Sequence, residues 1–349
     1  NKLQKEEFMS AAAEASRSSE GVDNFMRPLD PLLGRPEVTE LAINEPGNVW
    51  AKTYTGWEKH ELKELTANHL SYLVLAIASY NGIKPATRMS VILPGGQRCE
   101  IIRPPGVVDG QLAMNIRKHT QLVKTLDELE EEGAFNGVEE KSHANIEALD
   151  DFEKELMVLK DKKQFKQFLE ACVLYKRNIV ISGKTGSGKT TFARSLIEKV
   201  PTAERIITLE DVHELKLTQH ENKLHLLYGE GQGRISPAQC LKSCMRLSPD
   251  RIFLAELRHG EALDYIRAAN SGHPGSITTT HANSAIDTFD RIASLAQMSS
   301  AGQAMPVEMI RREVFATIDV VLYFKNLRLV EVYYDPIYRK RLSGGEGGH

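Results

Sequence analysis

The chain contains few cysteines, and their spacing does not suit a disulfide framework. Cys240 and Cys244 lie close together, but no second pair completes a set of zinc ligands. We therefore expect free, buried thiols in a reducing compartment. The four cysteines are Cys99, Cys172, Cys240 and Cys244.

Long apolar runs are also missing. The richest stretch covers residues 70–78, about half of the roughly 18 residues that a membrane-spanning helix needs, and no signal-peptide pattern precedes it. These absences predict a cytoplasmic protein whose membrane contact is at most peripheral.

A strong excess of either charge is missing as well. The 349 residues carry 44 Lys and Arg against 47 Asp and Glu, a net charge of −3. This balance disfavours a strongly basic nucleic-acid-binding protein. The hydrophobic fraction of 41% is that of a globular chain long enough for two domains.

The strongest motif lies in residues 178–194, NIVISGKTGSGKTTFAR, where a strand pattern leads into a glycine-rich turn and then a helix pattern. The spacing GxxxxGK[ST] is typical of a phosphate-binding loop, whose glycines let backbone N–H groups approach phosphate oxygens. We expect Lys189 to contact the β- and γ-phosphates and the Thr190 hydroxyl to ligate magnesium. The predicted nucleotide-binding residues are Gly183, Lys184, Thr185, Gly186, Ser187, Gly188, Lys189, Thr190 and Thr191.

Two later strand patterns end in carboxylates. Residues 205–209 precede Glu210, and residues 251–255 precede Glu256. Open α/β sheets bind ligands at the carboxyl ends of their strands, and triphosphate hydrolysis needs one carboxylate to orient water and another near magnesium. We assign the water to Glu256 and the metal to Glu210, with the two roles open to exchange. An acidic loop in solvent is the alternative for the region of Glu210.

A third strand pattern, residues 276–280, ends in a row of threonines followed by His281. Such a row can sense a γ-phosphate and relay its presence to a subunit boundary. A purely structural histidine is an equal alternative. Metal binding by His281 is disfavoured, since no third nitrogen or sulfur ligand is visible.

Short strand patterns joined by Pro/Gly turns, with a helix pattern over residues 66–80, predict a small α+β domain before residue 120. Arg98 follows its PGG turn, and Arg117 ends its last strand. Both arginines could be solvated strand residues. Alternatively, they face a nucleotide bound by the other half of the chain, where a guanidinium fork suits the γ-phosphate.

The amino-acid composition changes between the N-terminal strand and helix patterns and those that surround the phosphate loop. Acidic residues outnumber basic ones between residues 118 and 163, which predicts either a spacer or a linker that repositions one domain against the other. Strands that alternate with helices after the linker predict a mainly parallel sheet. The predicted organisation is an N-terminal arm that is disordered or a frayed helix (1–24), an α+β domain (25–120), an acidic linker (121–163), an α/β P-loop ATPase domain (164–342) and a tail (343–349).

As a set, these motifs resemble the secretion traffic ATPases, and within them the hexameric VirB-type ATPases of type IV secretion and conjugation systems. The resemblance rests on GKTGSGKTT, TLEDVHEL, RIFLAELRHGEA and GHPGSITTTHA, which occur in the family's order. The N-terminal LPGGQRCEIIRPP and NIRK resemble that family's first domain, so the likeness covers residues 25–340 or so.

The resemblance implies a RecA-like ATPase domain, a smaller N-terminal domain, and ATP with magnesium bound between them. It also implies a homohexameric ring on the cytoplasmic face of a bacterial inner membrane, docked on secretion components and powering export of DNA or protein, or pilus biogenesis. His259 stands where a glycine is commoner, so this chain departs from the family's pattern three residues after Glu256. By position the family's functional residues fall on Lys189, Thr190, Glu210, Glu256, His281, Arg98 and Arg117, with magnesium at Thr190 and Glu210.

Other functions fit the sequence less well. A type II secretion or pilus extension or retraction motor is a close alternative, although the tetracysteine zinc insert frequent in type II members has no counterpart here. A RecA-like DNA motor would be expected to show an aromatic and basic tract. A small-molecule phosphotransferase would need an acceptor pocket and a lid, and a non-hydrolysing scaffold would not need Glu210 and Glu256.

Overall fold

The computed structural model describes residues 19–118, 124–138 and 149–343. Residues 1–18 of the predicted arm and residues 344–349 of the predicted tail lie outside this range. The strands are β1 (Glu40–Glu45), β2 (Asn48–Thr53), β3 (Gly56–Glu61), β4 (Arg88–Ile92), β5 (Arg98–Ile102), β6 (Ala113–Arg117), β7 (Ile179–Gly183), β8 (Ile206–Glu210), β9 (Lys223–Leu227), β10 (Arg251–Leu254), β11 (Ile277–Thr280), β12 (Val320–Lys325) and β13 (Arg328–Tyr334).

The helices include two within the predicted linker, residues 121–163, and one over the pattern at residues 66–80. They are α1 (Glu20–Met26), α2 (Asp30–Leu33), α3 (Ala67–Tyr80), α4 (Leu126–Glu131), α5 (Asp151–Asp161), α6 (Phe165–Leu174), α7 (Lys189–Ile197), α8 (Pro237–Cys244), α9 (Glu261–Asn270), α10 (Asp287–Gln297), α11 (Ser300–Gln303), α12 (Val307–Thr317) and α13 (Pro336–Ser343), with a 3₁₀ turn at Arg27–Leu29.

The chain divides into two compact units. One contains Asn1–His119 and Val200–Glu256, and the other contains Thr120–Lys199 and Leu257–His349. The predicted domain boundaries after residues 120 and 163 follow sequence composition instead, and they stay a prediction.

The first unit contains a six-stranded antiparallel sheet in the order β3-β2-β1-β6-β5-β4. Helix α3 begins at the N-cap Thr66, whose hydroxyl accepts from the backbone N–H of His69. One face of this helix is buried because its apolar residues recur at helical spacing. That face contributes Leu70, Leu73, Val74 and Ile77 to the core.

The same unit contains three parallel strands, with β8 between β9 and β10. Arg205, which precedes β8, joins this segment to the antiparallel sheet. It is 1% exposed, and burial lowers its pKa to about 10. Its guanidinium donates to Asn44 Oδ1 (2.9 Å), Asn222 Oδ1 (2.5 Å) and the Leu247 carbonyl (3.0 Å), and it lies 5.2 Å from the ring of Trp57. The guanidinium is therefore hydrogen-bonded to neutral acceptors and lies against an aromatic face, while the nearby carboxylates of Asp250 and Glu40 favour its charge.

Arg205→Met should destabilise the folded chain by about 3 kcal/mol or more, because three buried acceptors would each lose a charged donor at once. Thermal and urea unfolding of the full chain measure this effect. Arg27→Met, at an exposed arginine, is the control and should change stability by less than about 0.5 kcal/mol. Equal melting of both variants would show that the network contributes nothing.

In the second unit, β7 lies between β11 and β12 and is parallel to both, and β13 pairs antiparallel with β12. All five residues of β7 are buried, as expected for a central parallel strand. The helices α10 and α12 pack against each other through Phe289 and Phe315, whose stacked rings lie 4.0 Å apart. This unit places the phosphate loop at the carboxyl end of a rigid strand.

All four cysteines lie in described residues and are free and buried, so the prediction about the thiols' state is confirmed. Burial raises the pKa of each thiol. Among the described helices, none has both the length and the apolar character needed to cross a bilayer.

Candidate active site

The phosphate loop leaves β7 at Gly183 and enters α7 at Lys189. Gly183 has φ +147°, and a Cβ there would lie 2.3 Å from the carbonyl oxygen of Phe324. Gly188 has φ +96° and caps α7. Both positions therefore require glycine, one for close packing and one for a left-handed turn. The predicted strand, loop and helix are confirmed.

Lys189 occupies the first turn of α7 and is only 7% exposed. Its Nζ donates to the carbonyls of Gly183 and Lys184, each at 2.9 Å. The ammonium is thus held inside the curve of the loop, at the positive end of a helix dipole. Both features favour a bound anion.

His281 lies against this loop. Its Nδ1 is 3.1 Å from the carbonyl oxygen of Gly183, which can only accept, so Nδ1 carries the hydrogen. The threonines before it are buried, and Thr280 donates to the carbonyl of Leu257 at 3.1 Å. The structure thus places His281 next to the predicted nucleotide-binding loop. Its role in sensing the γ-phosphate stays a prediction.

Two cavities adjoin the loop within the second unit. One, of about 440 Å³, is lined by Lys184–Ser187 of the loop and by residues 323–326. The other, of about 640 Å³, is lined by Lys184, Thr185, His281 and Arg291 among others. Each has the size of a small-ligand site.

The first unit brings the two predicted carboxylates to one edge. Strands β8 and β10 are adjacent and parallel, with Leu209 opposite Leu254. Glu210 ends β8, and Glu256 follows β10 by two residues, so both emerge at the carboxyl ends of neighbouring strands. This is the edge at which parallel sheets bind ligands.

Glu210 is fully buried. Its Oε2 accepts from the backbone N–H groups of Glu214 (2.5 Å) and Leu215 (3.0 Å). Its Oε1 has no hydrogen-bond partner among the described residues. Glu210 is therefore not part of a solvated acidic loop, and one of its oxygens remains available to a ligand.

Two histidines lie beside this carboxylate. Nδ1 of His213 is 3.7 Å from Oε2 of Glu210, and Nδ1 of His225 is 4.0 Å from Oε1. Burial lowers the pKa of His225 to about 3, so its ring is neutral. Thr208 holds that ring through a hydroxyl 2.8 Å from Nδ1.

Arg98 and Arg117 lie directly opposite each other on β5 and β6. Together with Arg246 they line a cavity of about 280 Å³ in the first unit. Arg117 is 72% exposed at its side chain, and its Nε is 3.7 Å from Oε1 of Glu40. The structure thus pairs the two predicted arginines on one exposed surface.

Sequence reasoning missed three residues near these sites: Arg246, His213 and His225. Arg246 follows α8 and donates to Ser90 and Glu100. His213 lies inside the quoted acidic motif, so its proximity to Glu210 was available from spacing alone. His225 lies on β9, a strand that the sequence patterns did not reveal.

A phosphate loop at the carboxyl end of a buried parallel strand, followed directly by a helix, is the nucleotide-binding element of P-loop nucleoside triphosphatases. Residues 142–329 match the family described as "Type II/IV secretion system protein", which covers more than half of the chain. The chain belongs to this family of secretion proteins.

Two relatives and one solved structure indicate which type of secretion protein the chain resembles. The type IV secretion system protein VirB11 of Brucella suis is 38% identical over 346 residues, covering 94% of each chain. PtlH of Bordetella pertussis, also a type IV secretion system protein, is 35% identical over 328 residues, covering 90% of this chain and 95% of PtlH. The crystal structure of the Brucella suis VirB11 ATPase in complex with sulphate superposes with a TM-score of 0.88 at 37% identity, covering 95% of this chain and 99% of the other.

These similarities confirm four predictions made from the sequence: a VirB-type secretion ATPase, the α/β fold with a RecA-like domain, ATPase activity and a function in type IV secretion.

Proposed function

We propose that this chain is a homohexameric, magnesium-dependent ATPase that acts at the cytoplasmic face of a bacterial inner membrane. In this proposal it powers substrate translocation, pilus biogenesis or both in a type IV secretion system. The observation that carries the proposal is the buried Lys189 within a correctly formed phosphate loop, in a chain that matches a VirB11 ATPase along nearly its whole length.

In the proposed site, residues 183–191 bind the triphosphate. Lys189 exchanges the loop carbonyls for the β- and γ-phosphates, and backbone N–H groups at the start of α7 add further donors. His281 is already anchored to Gly183, so a shift of the loop on γ-phosphate binding would move it. This coupling supports a sensing role.

The carboxylates supply the hydrolytic chemistry. Glu256 would orient a water and accept its proton while the water oxygen attacks the γ-phosphorus and the bond to the β–γ bridging oxygen breaks. Arg98 and Arg117 would contact the γ-phosphate, and their pairing across β5 and β6 lets them act as one doubly charged clamp. ADP and phosphate are the products.

Magnesium fits part of this site. The ion prefers oxygen ligands. Thr190 offers a hydroxyl in the first turn of α7, and Glu210 offers a buried Oε1 with no hydrogen-bond partner among the described residues. When bound, magnesium would neutralise charge on the phosphates. In this proposal Glu210 serves the metal and Glu256 the water, and glutamine substitutions at the two positions distinguish this assignment from the reverse.

Assembly and turnover test the proposal together. Native mass measurement with Mg-ATP should reveal a sixfold species, and ATPase activity per chain should rise with protein concentration as the ring forms. A monomer at every concentration, with constant activity per chain, would contradict the hexameric motor.

A type II secretion or pilus motor is the second candidate, because the matching family spans both secretion types. The identity to VirB11 and PtlH favours type IV. A DNA-dependent motor would instead show ATPase activity that rises with single-stranded DNA and falls with salt.

A further inference from the structure

A cluster of three potential metal ligands lies in the first unit. Glu210 ends β8, His213 lies in the loop after it, and His225 lies on the adjacent strand β9. One ligand atom from each side chain lies within 4.8 Å of the other two. The rings of the two histidines are also in contact, with centroids 4.3 Å apart.

Two atoms of this cluster are buried without a hydrogen-bond partner among the described residues: Oε1 of Glu210 and Nδ1 of His213. Leaving such an atom unsatisfied costs about 1–3 kcal/mol, so each indicates a missing ligand. The distances from the imidazoles to the carboxylate, 3.7 and 4.0 Å, are too long for direct hydrogen bonds.

One ligand atom from each residue lies within 4.8 Å of the other two, which is close enough for the three residues to share one ion. Ligand atoms bonded to one tetrahedral zinc at about 2.0–2.1 Å lie about 3.4 Å apart. Ligand atoms that lie up to 4.8 Å apart would have to approach one another by at most about 1.4 Å to reach the range of such a metal.

The donor types select the class of ion. Two imidazole nitrogens and one carboxylate suit zinc and related first-row transition metals, whereas magnesium and calcium prefer oxygen. The hydroxyl of Thr208 lies 2.8 Å from Nδ1 of His225, the same nitrogen that faces Glu210. An ion bound at this nitrogen would therefore replace that hydrogen bond.

We propose that Glu210, His213 and His225 form a binding site for a divalent transition-metal ion of the zinc class. We further infer that the bound ion occupies the carboxylate needed for ATP hydrolysis and so inhibits the ATPase. The second inference rests on the proposed function, whereas the binding site does not. Because nitrogen donors discriminate against magnesium, inhibition persists in a large excess of Mg²⁺.

Cobalt(II) is the probe for the site. Metal-free full-length protein should bind one equivalent of Co²⁺ with visible absorption bands typical of four- or five-coordination, and Zn²⁺ should displace it. His213→Ala and His225→Asn should each weaken binding by at least about 10-fold. His60→Ala is the matched control, since His60 lies on β3 beside Glu58 and outside the cluster.

His213 is half-buried, so its alanine variant should fold even if the variant at the buried His225 does not. Absence of Co²⁺ bands in the parent protein, or equal Co²⁺ affinity in folded His213→Ala, overturns the site.

The inhibition is tested separately. One equivalent of Zn²⁺ in excess Mg-ATP should abolish most of the parent's turnover, and His213→Ala should resist Zn²⁺ relative to its own rate in Mg-ATP without zinc. Stoichiometric Co²⁺ binding combined with turnover that Zn²⁺ does not affect overturns the inhibitory role. If the parent hydrolyses no ATP in any metal, the proposed function fails while the Co²⁺ spectrum still decides the site.

Discussion

Lys189→Ala is expected to reduce ATP turnover by about 10³-fold or more, to the background of a phosphate-release assay. The substitution removes the buried ammonium from the centre of the phosphate loop, where it is held by the carbonyls of Gly183 and Lys184. No other described side chain makes these two hydrogen bonds, so the loop would lose the charge that binds the β- and γ-phosphates.

The matched control is Lys199→Ala. Lys199 lies just after α7 and forms an exposed ion pair with Glu170 at 2.9 Å. Its loss should leave turnover within about twofold, because exposed pairs contribute little. Thermal melting without nucleotide separates lost catalysis from lost folding. If a folded Lys189→Ala protein hydrolyses ATP at the parental rate, the phosphate loop is not part of the hydrolytic site.

Glu256→Gln is expected to lower kcat by about 10²- to 10⁴-fold while ATP still binds. Glutamine preserves the shape of the side chain but cannot accept the proton of the attacking water. The nucleotide recovered from the variant after gel filtration should therefore be ATP. Recovery of ADP at the parental rate would show that Glu256 does not orient the water.

Glu210→Gln distinguishes the two carboxylates. If Glu210 serves the metal, this variant should need more Mg²⁺ for half-maximal activity, whereas Glu256→Gln should show an unchanged Mg²⁺ requirement for ATP binding. The opposite pattern would exchange the roles. Glu221→Gln is the control, since that carboxylate is 69% exposed and pairs with Lys59 in a surface contact at 3.2 Å.

Local chemistry made the phosphate loop predictable. Positions 183 and 188 need glycine for reasons that act within a few residues, and the strand before them and the helix after them have the expected periodicities. The acidic strand ends were predictable for the same reason. Helix α8 was missed although Ser236 and Gln239 form a capping box that the sequence displays.

The surroundings of Glu210 were not predictable, because they depend on strand register. His225 reaches Glu210 only because β9 pairs in parallel with β8, with Thr208 opposite His225. The five residues of β9, KLHLL, are too short and too uniformly buried to reveal a strand by alternation. Arg246 depends in the same way on partners more than 140 residues distant, Ser90 and Glu100.

The contacts that bury Arg205 limit where this chain can be cut into fragments that still fold. A fragment cut at the acidic linker would separate Asn44 and Trp57 from Arg205, and it would leave an uncompensated guanidinium in what had been an interior. The residues that surround Glu210 and Glu256 therefore depend on the amino-terminal third of the chain for their folding. The catalytic half cannot be treated as a freestanding module.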